Sequence, residues 1–117
     1  MTKLSILICS LASREYYRNR LLELLESQIN DENQTSIEVL QDIDHGEASI
    51  GSKRQRLIEV AKGDYVCFID DDDRISPDYI EKILKAIESK PDVINIKGQI
   101  TSDRDWETNI ITFCNLN

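Results

Sequence analysis

The chain has 117 residues, 40% of them hydrophobic and 31% charged, which fits one soluble globular domain built around one core. Its net charge of −8 argues against phosphate-backbone binding as the main activity, so no nucleic-acid partner is expected. No apolar run approaches the ~20 residues needed to span a bilayer, and the apolar stretch Leu4 to Cys9 within MTKLSILICSLAS reads as a first core strand rather than a signal peptide.

In chain order, KLSILIC (3–9) is a short β-rich run. SREYYRNRLLELLESQI (13–29) is expected to be a helix capped by Ser13, with Tyr17, Leu21, Leu24, Leu25 and Ile29 sharing the buried face. A polar loop leads to IEVLQ (37–41), a strand, and DIDHGEASIG is a loop in which His45 reads as a solvent-exposed residue. SKRQRLIEVAK (52–62) is a helix that Gly63 would close at the C′ position. DYVCFI (64–69) is apolar on both faces, as a central parallel strand should be. SPDYIEKILKAIESK (76–90) is a helix with Ser76 as N-cap, Pro77 at the first position and a stripe of Ile80, Ile83, Leu84 and Ile87. DVINIKGQI (92–100) is a strand and NIITFC (109–114) a weaker one. This order predicts an α/β fold: a three-layer α/β/α domain over residues 1–117 with a mostly parallel sheet and right-handed crossovers. Cys9, Cys67 and Cys114 sit in apolar, strand-like contexts and read as thiols of a reducing compartment, hence a cytoplasmic protein.

The third strand runs straight into four aspartates, Asp70 to Asp73. Each pair of adjacent carboxylates at roughly 6 Å repels by about 0.7 kcal/mol in water, and by more near a protein surface. A solvated acidic turn or a helix cap would also place aspartates here, but Ser76 already serves as the cap and a turn needs one or two. Ligands of open α/β sheets bind beyond the carboxyl ends of the strands, where this run falls. Hard carboxylate oxygens suit Mg²⁺ or Mn²⁺, and such sites commonly share the ion with phosphate oxygens, which points to a diphosphate ligand. GSKRQR (51–56) adds Lys53, Arg54 and Arg56 at a helix start on the same edge. Cations are disfavoured by the dipole there unless an anion joins them.

The segments SILICS, IEVLQD, GSKRQRLIEVAKGDYVCFIDDDD and SPDYI, in that order, resemble the N-terminal half of a family 2 glycosyltransferase of the GT-A fold. The resemblance runs from about Lys3 to Ile96 and is most specific from Gly51 to Tyr79. It implies that Asp70, Asp71 and Asp72 occupy the DXD position. Asp72 would ligate a divalent metal bridging the nucleotide diphosphate, and Asp70 or Asp71 would contact the ribose or the metal shell. Asp42, with Asp44 as a close competitor, would accept from the nucleobase edge. Cys9, Ser10 and Leu11 would line the base pocket, and Arg54, with Lys53 beside it, would meet the diphosphate. Leu11 stands where the family usually has an aromatic, and Gln55 replaces the usual Asn.

The resemblance thus implies a domain that binds a nucleotide sugar, UDP-linked, through a metal, for inverting transfer in a whole enzyme. Asp103, Asp105 and Glu107 come too early to match the family's catalytic carboxylate, so no base is assigned and the chain reads as a donor-binding half. A non-catalytic interaction module that keeps the fold is the alternative. A nucleotidyltransferase would want a Gly-rich loop after the first strand, and a receiver-like module an acidic pair there; CSLASRE offers neither.

Overall fold

The computed structural model describes residues 2–101 and 107–116, with side chains through Ile94. Five strands form one sheet: β1 (Leu4–Leu11), β2 (Ile37–Asp44), β3 (Tyr65–Phe68), β4 (Val93–Thr101) and β5 (Glu107–Leu116), in the spatial order β2-β1-β3-β5-β4. β1 pairs in parallel with β2 and β3. β5 lies antiparallel between β3 and β4, so four strands run one way and β5 runs against them. The mostly parallel sheet expected from the sequence is present, and the weak last strand proves to be its inserted, reversed member.

Three helices, α1 (Glu15–Glu26), α2 (Ile50–Val60) and α3 (Tyr79–Ile87), complete the three layers. Alternation along β1 decides which face each covers. Leu4, Ile6 and Ile8 join Leu21 and Leu25 of α1, Ile80, Ile83 and Ile87 of α3, and Tyr65 and Cys67 of β3. Leu7 points the other way, into a smaller cluster with Leu57 of α2 and Val66 of β3. β1, apolar on both faces and flanked on both edges, is therefore the spine of the fold.

The helix ends differ from the sequence expectation, and each difference has a local cause. α1 starts after a 3₁₀ turn at Ala12–Arg14 and has no side-chain cap, so Ser13 does not serve as one. Its buried face carries Arg18 with Leu21 and Leu25, while Tyr17 is exposed. α2 starts two residues early because Ser49 is the N-cap, its Oγ accepting from the Ser52 amide at 3.1 Å. α3 starts at Tyr79, and Gln28 from the end of α1 does the capping: its Oε1 accepts from the Ile80 amide at 2.9 Å and its amide donates to the Ser76 carbonyl at 2.8 Å.

Gly63 is not a C′ residue, since α2 ends at Val60. It is glycine for closeness: a Cβ there would lie 2.6 Å from the Ser5 amide nitrogen and 2.8 Å from the Leu4 carbonyl carbon. That approach closes a polar cluster at the amino ends of the strands. The Gly63 amide donates to Ser5 Oγ at 2.9 Å, Ser5 Oγ donates to Glu38 Oε2 at 2.6 Å, and the Lys62 amide donates to the same oxygen at 2.5 Å. Burial pushes the Glu38 carboxyl up, but the hydrogen bonds from Ser5, Lys62 and Gly63 outweigh it and hold the group below its ordinary value.

Candidate functional site at the carboxyl ends of the strands

A cavity of about 320 Å³ opens where β1 and β3 end and α2 begins. Cys9, Ser10 and Leu11 form one wall, Lys53 and Arg54 a second, and Asp70, Asp71 and Asp72 a third. The parallel pairing of β1 with β3 carries both strands to this edge together, and Ser49 capping sets the first turn of α2 beside them. Of the residues singled out from the sequence, Asp42, Asp44, Arg56 and Asp73 lie off the cavity lining.

The four aspartates are not equivalent. Asp71 is buried, accepting from Ser10 Oγ at 2.8 Å and from Arg14 Nε at 2.8 and 3.0 Å. Burial raises its pKa, and the bonds from Arg14 and Ser10 overcome this and lower it. Asp70, Asp72 and Asp73 are exposed and can bring one carboxylate oxygen each within 4.8 Å of one another. The turn closes tightly: the Asp73 amide donates to the Asp70 carbonyl at 3.0 Å, and the Asp70 amide donates to Asp73 Oδ2 at 3.3 Å. Asp73 is open to solvent as a residue, but its carboxyl folds back over Asp70. Partial desolvation first, and then the charges of Asp70, Asp72 and Asp71, raise its pKa. Hard oxygens converging in this way fit a divalent cation. The family resemblance gives Asp73 no role.

The basic side chains divide as well. Lys53 is buried at 3% exposure, its Nζ donating to the Ser10 carbonyl at 2.9 Å and pairing with Asp44 at 2.5 Å. It ties the ends of β1 and β2 together. Asp44 is held at about 2 by the Lys53 hydrogen bond first, against some desolvation, with help from the amides of Gly46 and Ala48. Asp42, beside Cys9 in the β1–β2 register, accepts a two-point contact from Arg56, at 2.8 and 3.0 Å. Arg54 is exposed and lies 5.2 Å over the Phe68 ring, on the cavity wall. Cys9 is a half-buried free thiol whose pKa burial raises, with Arg54 the leading opposing charge. Cys67 is buried, its Sγ 2.8 Å from the Tyr79 hydroxyl. Asp103, Asp105 and the side chain of Glu107 lie outside what the structure describes.

Sequence reasoning missed the arginines of α1 and of the turn that leads into it. Arg18, buried, donates from Nη1 to the Leu11 carbonyl at 2.8 Å and to Ser10 Oγ at 3.1 Å. Arg14 holds Asp71 and reaches Asp72 at 3.5 Å, and Arg20 donates to the Asp72 carbonyl at 3.1 Å. The signal was present: Arg14, Arg18, Leu21 and Leu25 are spaced as one helical stripe, so the apolar face runs into two arginines aimed at the sheet edge.

Known proteins share this architecture. TarS 1–349 of S. aureus superposes with a TM-score of 0.65 at 21% identity, over 79% of this chain and 34% of that one. The same TarS fragment was also solved in complex with UDP-GlcNAc and with UDP. In sequence, EpsH of Bacillus subtilis is 40% identical over 45 residues, which is 38% of this chain and 13% of EpsH. The glucosyl-dolichyl phosphate glucuronosyltransferase of Haloferax volcanii is 35% identical over 54 residues, 46% of this chain and 17% of that protein. The chain thus spans about a third of the TarS fragment and under a fifth of the two sequence relatives. Among the described residues no helix is long and apolar enough to cross a membrane. The family model for glycosyl transferase family 2 matches residues 18–112, and with the GT-A-type sheet and its edge cavity in place, the chain belongs to that family.

Proposed function

We propose that this chain binds the nucleotide diphosphate of a UDP-sugar at the cavity, with a divalent cation, Mn²⁺ or Mg²⁺, at Asp70, Asp72 and Asp73, for inverting sugar transfer by the whole enzyme. The observation that carries the reading is the convergence of β1's end, the first turn of α2 and the aspartate turn on one cavity in a family 2 chain. The TarS complexes with UDP and UDP-GlcNAc support the choice of nucleotide.

Each group then has a task. Leu11 and Ile50 flank the cavity with apolar surface for the base, and the backbone of Cys9 to Leu11 serves its edge. Arg54, fixed over Phe68, contacts the diphosphate; Lys53 acts one step back, holding the β1 terminus in place through the Ser10 carbonyl. Asp71, already satisfied by Ser10 and Arg14, orients the turn and leaves its neighbours to the ion. When bound, the cation offsets the charge that develops on the departing diphosphate.

Thermal melting with Mn²⁺ and UDP tests this. A ligand at 100 times its Kd stabilises the native state by about 2.7 kcal/mol, a Tm rise on the order of 10 °C for a chain of this size. Melting curves that coincide with and without Mn²⁺ plus UDP would sink the reading.

A further inference from the structure

Arg14 is bound at one end and loose at the other. Its Nε lies 2.8 and 3.0 Å from the two carboxylate oxygens of the buried Asp71, while Nη2 stands 3.5 Å from Asp72 Oδ2, beyond good hydrogen-bond length. Its guanidinium rests 4.7 Å over the Tyr17 ring, and the side chain is 35% exposed on the cavity lining. The arginines of α1 itself are committed elsewhere. Arg18 is buried against Ser10 and Leu11, and Arg20 serves the Asp72 carbonyl and leans on Tyr16 and Tyr17. Arg14 and Arg54 line the same cavity, and only a long contact, to Asp72, engages the terminal nitrogen of Arg14.

Building on the nucleotide-sugar reading, we propose that Arg14 is a second diphosphate-binding residue, held in reserve by Asp72 and released when a divalent cation takes that carboxylate. A planar guanidinium can serve two anions at once through different edges. Nε keeps Asp71 while the Nη end passes from Asp72 to a phosphate oxygen. A doubly charged ion displaces a contact as long and as solvent-exposed as the one to Asp72. Metal and nucleotide then bind cooperatively: the metal frees a donor for the nucleotide and, by reciprocity, the nucleotide removes a competitor of the metal.

Calorimetry on the parent, Arg14→Gln and Arg14→Lys separates the parts, with Mn²⁺ alone, UDP alone in chelator, and UDP at saturating Mn²⁺. Arg14→Gln should bind Mn²⁺ alone about two- to fivefold more tightly, the value of one exposed ion pair. It should bind UDP at saturating Mn²⁺ about tenfold more weakly, the value of a charge-assisted hydrogen bond. Arg14→Lys keeps a positive charge on Asp71 but has one donor head. It should show the same two changes, and it carries the test if Arg14→Gln melts early. Both affinities unchanged in Arg14→Lys, or Mn²⁺ and UDP weakened alike, would overturn the proposal while leaving the nucleotide reading standing. A parent that binds neither Mn²⁺ nor Mn²⁺–UDP overturns both.

Discussion

The two ends of the sheet treat carboxylates in opposite ways. At the amino ends, Glu38 receives Ser5 and two backbone amides, and its pKa falls. At the carboxyl ends, Asp73 sits among Asp70, Asp71 and Asp72, and its pKa rises. Both groups feel desolvation; what differs is whether donors were built to meet them. One end is finished by the chain itself. The other keeps a surplus of negative charge that an outside cation can use, and the difference marks where stability was given priority and where binding was.

The sharpest break of this comparison is Gly63→Ala. The new Cβ would meet backbone atoms of Leu4 and Ser5, which cannot swing aside. We expect a loss of about 3 kcal/mol in urea unfolding, at the upper end of overpacking costs. A midpoint within error of the parent would show that the Gly63 approach is slack. At the other end, Asp72→Asn should weaken Mn²⁺–UDP binding tenfold or more, while the melting temperature of the free protein stays level or rises slightly. Calorimetry that finds the same Mn²⁺–UDP affinity as the parent would remove Asp72 as a ligand.

Acid titration sharpens the contrast. Glu38 has a lowered folded-state pKa, so its contribution is present above the unfolded carboxylate value, near 4.3, and is lost as pH falls through the lower folded value. Asp73 has a raised folded-state pKa, so its penalty is absent below the unfolded value, near 3.9, and complete once pH exceeds the folded one. Glu38→Gln should therefore flatten part of the fall in stability on the acid side. Asp73→Asn should stabilise the free protein at pH 7 by at most about 0.5 kcal/mol and do nothing at pH 3. An Asp73→Asn gain that persists at pH 3 would mean that charge is not its source.

Much of this fold was legible because burial on both faces leaves an unmistakable trace. SILIC and YVCF carry no alternation to misread, and the α3 stripe of Ile80, Ile83 and Ile87 is buried as its spacing implied. The helix ends were less legible because their caps come from elsewhere: no local pattern shows that Gln28 caps α3 from 48 to 52 residues away in sequence. The site's location could be read from the aspartates and the order of the elements, but the sorting within it could not. Lys53 and Arg54 are neighbours in sequence with opposite fates. The α-helical turn places Lys53 in line with the buried Leu57, while Arg54 falls on Phe68. Asp71 and Asp72 diverge in the same way, because a turn points alternate side chains inward to Ser10 and outward to solvent.

The late insertion of β5 between β3 and β4 has a consequence for synthesis. Every candidate site residue belongs to the first 73 positions, yet β3's second edge is covered by residues that follow Thr101. At about 5–20 residues per second, the stretch from Asp73 to Leu116 emerges over roughly 2–9 seconds. During that interval β3 offers bare amides and carbonyls, and β4, which in the finished sheet pairs with β5, has arrived without its partner. Direct pairing of β4 to β3 would be parallel and would fill the gap meant for β5. The nascent chain thus carries a built-in wrong sheet, and the ribosome's pace decides how long that alternative stays open.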